Sequence, residues 1–410
     1  NIIIKLLKRY HQVMNIVVIG VGYVGLVSGL CLAKLKHNVQ FLDIDESKIS
    51  SLKKHQPPFF EPELEDYLNN KEILGNVNFF SDYKSIAWDN VDIVMVCVQT
   101  PSLESNQIDT SFVKKVFMSI ENYINDNTVV CIKSTIHPEA LKKIIADLSF
   151  DESRIVFNPE FLREGSAFTD FFQPDRIVIG STDKENAKKV GLLYNDLDTK
   201  ILFTDPVSSQ LIKYLSNAYL PLRLSFVNEA SQIISAMGGN LKETLKGIGM
   251  DTRIGQKYFR PSPGWGGSCF PKDVAEINSI IKSNNLNLPL ISNIKESNYN
   301  HQEWFAEYLI NLKNEKIFEN IFLIGLAFKD NTDDLRHSPT ISIYKILDSK
   351  SQSVHIFDLD NFEYNESEIK QNFLEKSLIV EMYPIGSSLQ SKVEEELKVI
   401  NEFSYIKFWE

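Results

Sequence analysis

Of the four cysteines, at positions 31, 97, 131 and 269, only Cys269 stands among residues that would make a thiol reactive. It lies in Pro263-Gly264-Trp265-Gly266-Gly267-Ser268-Cys269-Phe270-Pro271-Lys272-Asp273. The glycines let a ligand approach the backbone. Pro271 suits the first turn of a helix, which puts Cys269 at or just before a helix N-terminus. There the dipole and the neighbouring Lys272 would favour the thiolate. Beside a nicotinamide site, such a thiolate would trap an aldehyde covalently. The plainer alternative is a cysteine that only serves the shape of a glycine loop. Cys31 falls in an apolar helical stretch, and Cys97 and Cys131 fall in apolar strands, so all three are expected to be small core residues.

A second constellation is Gly20-Val21-Gly22-Tyr23-Val24-Gly25, a G-x-G-x-x-G turn between an apolar strand and a helix. Its first glycine permits the tight turn, its second the approach of a pyrophosphate, and its third close helix–strand packing. The phosphates would then meet a helix N-terminus. Asp43, 18 residues past Gly25, ends the next strand. A carboxylate there bonds a ribose 2′-hydroxyl and repels a 2′-phosphate, so NAD is expected rather than NADP, with Asp45 as the other candidate. Thr100-Pro101 follows a later strand, where a loop would either line the cofactor crevice or simply end the strand.

Polar residues also recur at one-turn spacing. Glu160 and Glu164 flank Arg163, Lys213 and Asn217 are four apart, and Asp273 is four beyond Cys269. A solvated helix face explains many such pairs. It explains Lys213 and Asn217 less well, because Leu211, Ile212, Tyr214 and Leu215 surround them, and a polar group in apolar company needs a partner or a task.

The elements that must position these groups follow from periodicity. Asn15–Gly20, 38–44, 91–98, 128–134, 154–159 and 176–180 are short apolar runs alternating with helical stretches, the pattern of βαβ units in a doubly wound parallel sheet. From about 205 a helical period holds for some thirty residues to a Gly pair, with Pro221 as a possible kink. Parallel-strand patterns return at 320–328 and 353–359. The expected architecture is α/β: two Rossmann-like doubly wound parallel-sheet domains joined by a long central helix and a helical middle domain. The expected boundaries are an N-terminal extension over 1–13, a cofactor domain over 14–205, a helical middle over 206–312 and an α/β domain over 313–410.

Composition bounds the partners. The 410 residues suit two or three domains, and 43% hydrophobic with 24% charged residues is a globular composition. With 43 Lys plus Arg against 54 Asp plus Glu the net charge is −11, which argues against a nucleic-acid surface or an anionic membrane but not against a small anion in a basic pocket. No apolar run reaches membrane-spanning length. Residues 1–13 lack a continuous apolar core and a small-residue cleavage site, so no signal peptide is expected. Few cysteines fit a reducing, cytoplasmic setting.

Taken together, GVGYVG, IKSTIHP, NPEFLREG, QLIKYLSNAYL, GWGGSCFPKD and GLAFKDNTDDLRHSP resemble the UDP-glucose/GDP-mannose dehydrogenase family, in order from about Met14 to Leu347. The resemblance is greatest to the branch acting on UDP-glucose. It implies a four-electron oxidation of the C6 alcohol to a carboxylate with two NAD reduced, no metal, and a homodimer formed through the helical middle. It implies Cys269 as nucleophile, through a thiohemiacetal and then a thioester. Lys213 and Asn217 would orient the C6 oxygen, and Asp273 would position water and the lysine. Thr135 and Glu160 would serve water-mediated proton transfer. On the cofactor side it implies Gly20, Gly22, Tyr23, Val24, Gly25, Asp43, Lys48, Thr100, Thr135, Glu164 and Arg336. On the substrate side it implies Glu160, Phe161, Leu162, Lys213, Asn217, Gly266, Lys329, Tyr258 as a phosphate contact, and Arg253 lent by the dimer partner. Residues past about 348 match the family only loosely.

Other substrates remain open at this point: GDP-mannose, a UDP-N-acetylhexosamine, UDP-galactose or another UDP-hexose. The Cys-Phe-Pro-Lys-Asp run favours the glucose branch over the N-acetylhexosamine one. A non-catalytic NAD or nucleotide-sugar sensor is the alternative of a different class, and it would have no need of Cys269, Lys213, Asn217 and Asp273 together.

Overall fold

The computed structural model describes residues 12–101, 103, 108–148, 150–329, 332–357, 377–383 and 403–407. The chain packs as two compact units, Asn1–Tyr214 and Leu215–Glu410.

The first unit is built on an eight-stranded sheet. Its strands are β1 (Asn15–Ile19), β2 (Asn38–Leu42), β3 (Val77–Phe80), β4 (Ile93–Val96), β5 (Val129–Ile132), β6 (Ile155–Phe157), β7 (Ile177–Gly180) and β8 (Ile201–Thr204). Their spatial order is β3-β2-β1-β4-β5-β6-β7-β8. Every neighbouring pair is parallel except β6 and β7, which share one antiparallel pair, Phe157 with Gly180. The order reverses between β1 and β4, the switch point at which such sheets bind ligands beyond the carboxyl ends of the strands. Both faces are covered. Ile16 and Val18 of β1, Ile93 and Met95 of β4 and Val129 and Cys131 of β5 enter one core. Their alternates Val17, Ile19, Val94, Val96, Val130 and Ile132 enter the other. Burial on both sides is why these strands read as unbroken apolar runs.

A helix of 31 residues, Pro206–Ala236, begins in this unit and continues into the second. Pro221 sits inside it without ending it. Having no N–H, Pro221 makes no bond to the Asn217 carbonyl one turn earlier. Gly238, at φ +70°, follows the helix end.

The second unit carries helices Leu241–Gly249, Phe270–Ser283 and Ile294–Glu315. A four-stranded sheet then forms from β9 (Asn320–Ile324), β10 (Val354–Phe357), β11 (Ser377–Glu381) and β12 (Phe403–Lys407), in the order β10-β9-β11-β12 and wholly parallel. Helix Pro339–Ser349 links β9 to β10. Its Ile343 and Leu347 pack with Phe305 and Leu309 against Ile321, Leu323, Leu378 and Val380. Past 348, β10, β11 and β12 carry the alternation on, and 358–376, 384–402 and 408–410 lie outside the described residues. Of the expected N-terminal extension, 1–11 also lie outside them; Gln12 and Val13 are exposed and Met14 is buried. Among the described residues no helix is long and apolar enough to cross a membrane.

Candidate active site

The glycine turn joins β1 to helix Tyr23–Lys34. Gly20 has φ +98°, and a Cβ there would lie 2.7 Å from the Cys97 carbonyl oxygen. A Cβ on Gly25 would lie 1.9 Å from the Gly20 oxygen, so helix and strand close only on glycine. Gly22 differs, since a Cβ there would meet nothing within 4 Å. It caps the helix with no side-chain bond and no acidic residue in the first turn, which leaves the N–H groups and positive dipole end for an anion. Asp43 follows β2, and its Oδ2 accepts the Val21 N–H at 2.8 Å while Oδ1 accepts the Asp45 N–H at 3.0 Å. Asp45 is taken up as the cap of helix Glu46–Lys53, accepting from Ser47 and Lys48 backbone N–H groups. A bond from the Ser47 hydroxyl, and then the Lys48 and Ser47 backbone N–H bonds, hold its carboxyl below its ordinary value. The open face at Gly22 and the carboxylate ending β2 fit NAD. Tyr23, the first helical residue, donates its hydroxyl to Glu61 at 2.8 Å. Burial and the Glu61 charge push that phenol well above its ordinary value, so it stays a donor.

Beyond β6, Asn158-Pro159-Glu160 opens the loop that carries Phe161, Leu162 and Glu164. Glu160 is buried; its Oε1 takes the Lys213 ammonium at 2.7 Å and its Oε2 the Leu162 N–H at 2.8 Å. Burial alone would raise this carboxyl, but Lys213, the Leu162 N–H and Lys133 together outweigh it and hold Glu160 below its ordinary value, hence ionised. The Phe161 ring receives the Arg176 guanidinium at 3.6 Å and Lys213 Nζ at 5.4 Å. Beneath the loop, buried Lys133 reaches the Asn158 carbonyl at 3.3 Å and its Oδ1 at 3.1 Å. Asn158 Nδ2 donates to the Val178 carbonyl at 2.9 Å, a side-chain bond where the β6–β7 ladder is reduced to one pair. Thr100 is buried after β4, and Thr135 is half-buried after β5.

In the second unit Cys269 is exposed and caps helix Phe270–Ser283, with Pro271 in the first turn. The other three cysteines are buried, and burial pushes the Cys97 and Cys131 thiols up to about 12. The Cys269 loop is held by backbone. A Cβ on Gly266 would lie 2.0 Å from the His337 carbonyl oxygen, and Gly267, at φ +85°, donates its N–H to the Arg336 carbonyl at 3.0 Å. Trp265 is buried, bonded through its N–H to Asn298 Oδ1 at 2.9 Å and through its indole to Ser225 at 3.0 Å. One turn into the helix, Asp273 is 1% exposed and accepts Asn217 Nδ2 on its Oδ2 at 2.6 Å. Its Oδ1 lies 3.2 Å from Lys272 Nζ, within charge attraction but off the line of a hydrogen bond.

The remaining expected site residues have the following surroundings. Arg253 is exposed and clamps Asp251. Arg336 is exposed on Asp334, and Lys48 lies 3.8 Å from Asp45. Lys329 rests over its neighbour Phe328, 5.4 Å from the ring centre. Tyr258 is half-buried with a left-handed φ of +54°.

Three consecutive stretches match one family. Residues 14–198 match the NAD binding domain of the UDP-glucose/GDP-mannose dehydrogenase family, 207–300 its central domain and 322–393 its UDP binding domain. The chain belongs to the UDP-glucose/GDP-mannose dehydrogenase family. It is 38% identical over 372 residues to a UDP-glucose 6-dehydrogenase of Rickettsia felis, covering 89% of this chain and 82% of the relative. Its fold superposes on a UDP-glucose dehydrogenase of Pyrobaculum islandicum with TM-score 0.82 at 26% identity, covering 97% and 98% of the two chains. A UDP-D-ManNAc dehydrogenase of Pyrococcus horikoshii shares the fold with TM-score 0.83 at 22% identity, covering 96% and 95%. As a member of this dehydrogenase family the chain is an NAD-dependent oxidoreductase. Glu61, Lys133, Asn158, Arg176 and Trp265 were not among the expected site residues. Their partners lie up to 106 residues away in sequence, so no local spacing reveals them.

Proposed function

We propose that the enzyme oxidises the C6 alcohol of UDP-glucose to the carboxylate of UDP-glucuronate, through covalent intermediates on Cys269. The observation that carries this reading is the thiol itself: of four cysteines it alone is exposed, and it caps a helix in a loop fixed by glycine packing. Relatives named UDP-glucose 6-dehydrogenase support the substrate.

NAD, held at the glycine turn by Gly20, Gly22, Tyr23, Val24 and Gly25, with Asp43 at the ribose and Lys48, Thr100, Thr135, Glu164 and Arg336 as further contacts, supplies the hydride acceptor. Lys213 and Asn217 orient the C6 oxygen and offset negative charge as it develops there. Glu160 and Thr135 relay the alcohol proton through water. Cys269 adds to the aldehyde to give a thiohemiacetal, whose oxidation leaves a thioester. Asp273 positions the water that hydrolyses it and releases the thiol. Phe161, Leu162, Gly266, Tyr258, Lys329 and a partner-supplied Arg253 bind the sugar nucleotide. The free thiol needs a reducing compartment such as the cytoplasm. Leu215, Tyr219, Phe226 and Ile233 expose an apolar stripe along the long helix, which supports a homodimer through the segment 206–312. The cofactor and UDP-binding segments are then 14–205 and 313–410.

A panel of nucleotide sugars read by NADH absorbance tests the reading. UDP-glucose should yield close to two NADH per sugar. Turnover of GDP-mannose or a UDP-N-acetylhexosamine, with none of UDP-glucose, would overturn it.

A further inference from the structure

We propose that Glu61 is a positioning residue for NAD, acting through Tyr23. The inference rests on the reading that the glycine turn holds the cofactor, and it adds a residue that the turn's own sequence does not contain. Glu61 lies between helices Glu46–Lys53 and Leu64–Asn69 and is 5% exposed. A carboxylate so deep is expensive unless its oxygens are bonded. Here Oε2 accepts the Tyr23 hydroxyl at 2.8 Å and the Gly165 N–H at 2.7 Å, and Oε1 accepts the Ala167 N–H at 2.8 Å. The three donors lie 38, 104 and 106 residues away along the chain.

Each partner belongs to something the chemistry uses. Tyr23 is the first residue of the helix whose uncapped N-terminus faces the open side of Gly22. Gly165, at φ +84°, and Ala167 end the segment that begins at Glu160, the carboxylate paired with Lys213. One carboxylate therefore ties the start of the dinucleotide helix to the loop bearing Glu160, Phe161 and Glu164. The Tyr23 hydroxyl also lies 3.0 Å from the Arg163 carbonyl. One proton cannot serve both acceptors, and a carboxylate oxygen is the stronger of the two. Glu61 thus fixes which way the Tyr23 ring stands, with Phe59 against its side at 5.5 Å between centroids.

Glu61→Gln keeps the shape and replaces one accepting oxygen by a donor, so either the Ala167 amide loses its acceptor or Tyr23 and the Gly165 amide lose theirs together. Fluorescence titration of NADH reads the consequence without any sugar substrate. The expected result is a Kd raised ~10-fold, the equivalent of one buried hydrogen bond, with the KM for NAD raised likewise and the KM for the sugar nucleotide within about twofold of wild type. Tyr23→Phe should raise the NADH Kd by a similar factor, and the double variant should show no further rise. An unchanged Kd in a folded Glu61→Gln protein, or effects that multiply in the double variant, would overturn the proposal. Should Glu61→Gln fail to fold, Tyr23→Phe decides alone, because it leaves both loop amides bonded; an unchanged Kd there also overturns it. If wild type binds NADH but oxidises a different sugar, the substrate reading falls and this test still stands.

Discussion

The two units prepare their polar groups by opposite means. In the first, Glu160 and Lys213 are both buried and answer each other, so charge is preset by a side-chain pair within a covered loop. In the second, Cys269 is exposed, and what is preset is its position, through Gly266 and Gly267 set so close to neighbouring atoms that no side chain fits. A nucleophile needs access and a fixed backbone. A charged pair that must keep its ionisation needs exclusion of water and a partner. The difference predicts that the second site fails through chemistry or backbone shape, and the first through an orphaned charge.

Cys269→Ser should produce the largest effect, a loss on the order of 1,000-fold or more in complete oxidation, with the melting temperature and NADH binding close to wild type because the side chain is exposed. Stopped-flow NADH formation checks it, and full retention of two NADH per sugar would remove the covalent route. Lys213→Met should act on stability as well as activity. It strands the Glu160 charge, which costs about 3–5 kcal/mol when a buried pair is broken from one side. Adding Glu160→Gln should recover much of that loss without recovering activity. Denaturant melts of the single and double variants measure both terms, and additive destabilisation would contradict the pairing.

A pH effect separates the units further. His301, in the second unit, is buried, with Nε2 at 2.8 Å from the Ser262 carbonyl at the start of the cysteine loop and Nδ1 at 2.9 Å from Gln232. Burial lowers its pKa to about 4, against its bond to the Ser262 carbonyl and the charge of Glu229, which raise it. The unfolded chain, titrating near the ordinary 6.5, binds the proton first. Stability from neutral His301 is therefore complete above about pH 6.5 and falls between about 6.5 and 4, by about 3 kcal/mol at most. Glu160 is likewise held below its ordinary value, so its contribution also fades on acidification, but only at lower, carboxylate-range pH. Melting curves from pH 7 to 4 should show the decline, and His301→Gln should flatten it.

How much of this was legible in the sequence depends on how local each cause is. The strands β1, β4 and β5 read clearly because burial on both faces makes them continuous apolar runs. β3 and β8 did not, being four residues each and partly or largely exposed. The helix Ile294–Glu315 leaves no clear apolar stripe in the sequence, because Asn298, His301 and Gln302 stand on its buried face. The glycine turn and the capping place of Cys269 were readable, since Pro271 and glycine spacing act within a few residues. Glu61 and Trp265 were not, because only the folded chain brings Gly165, Ala167, Ser225 and Asn298 to them.

The smallest effects lie within the cysteine loop and ask which part of it holds the thiol in place. Gly267→Ala puts a Cβ at φ +85° and 2.8 Å from the Phe328 ring. Left-handed backbone strain of this kind costs about 1–3 kcal/mol, and the loop can relieve it only by moving Cys269, two residues on. Trp265→Phe keeps the backbone bonds to Asn298 and loses the indole bond to Ser225. It should cost about 1 kcal/mol, with a small further loss from the missing ring volume. If backbone shape positions the nucleophile, Gly267→Ala should slow alkylation of Cys269 by iodoacetamide or cut turnover several-fold, while Trp265→Phe leaves both within about twofold even where its melting temperature drops. The reverse ranking would mean that the tryptophan anchor holds the thiol. The second unit would then depend on a side-chain contact as the first does, and the contrast between the two would disappear.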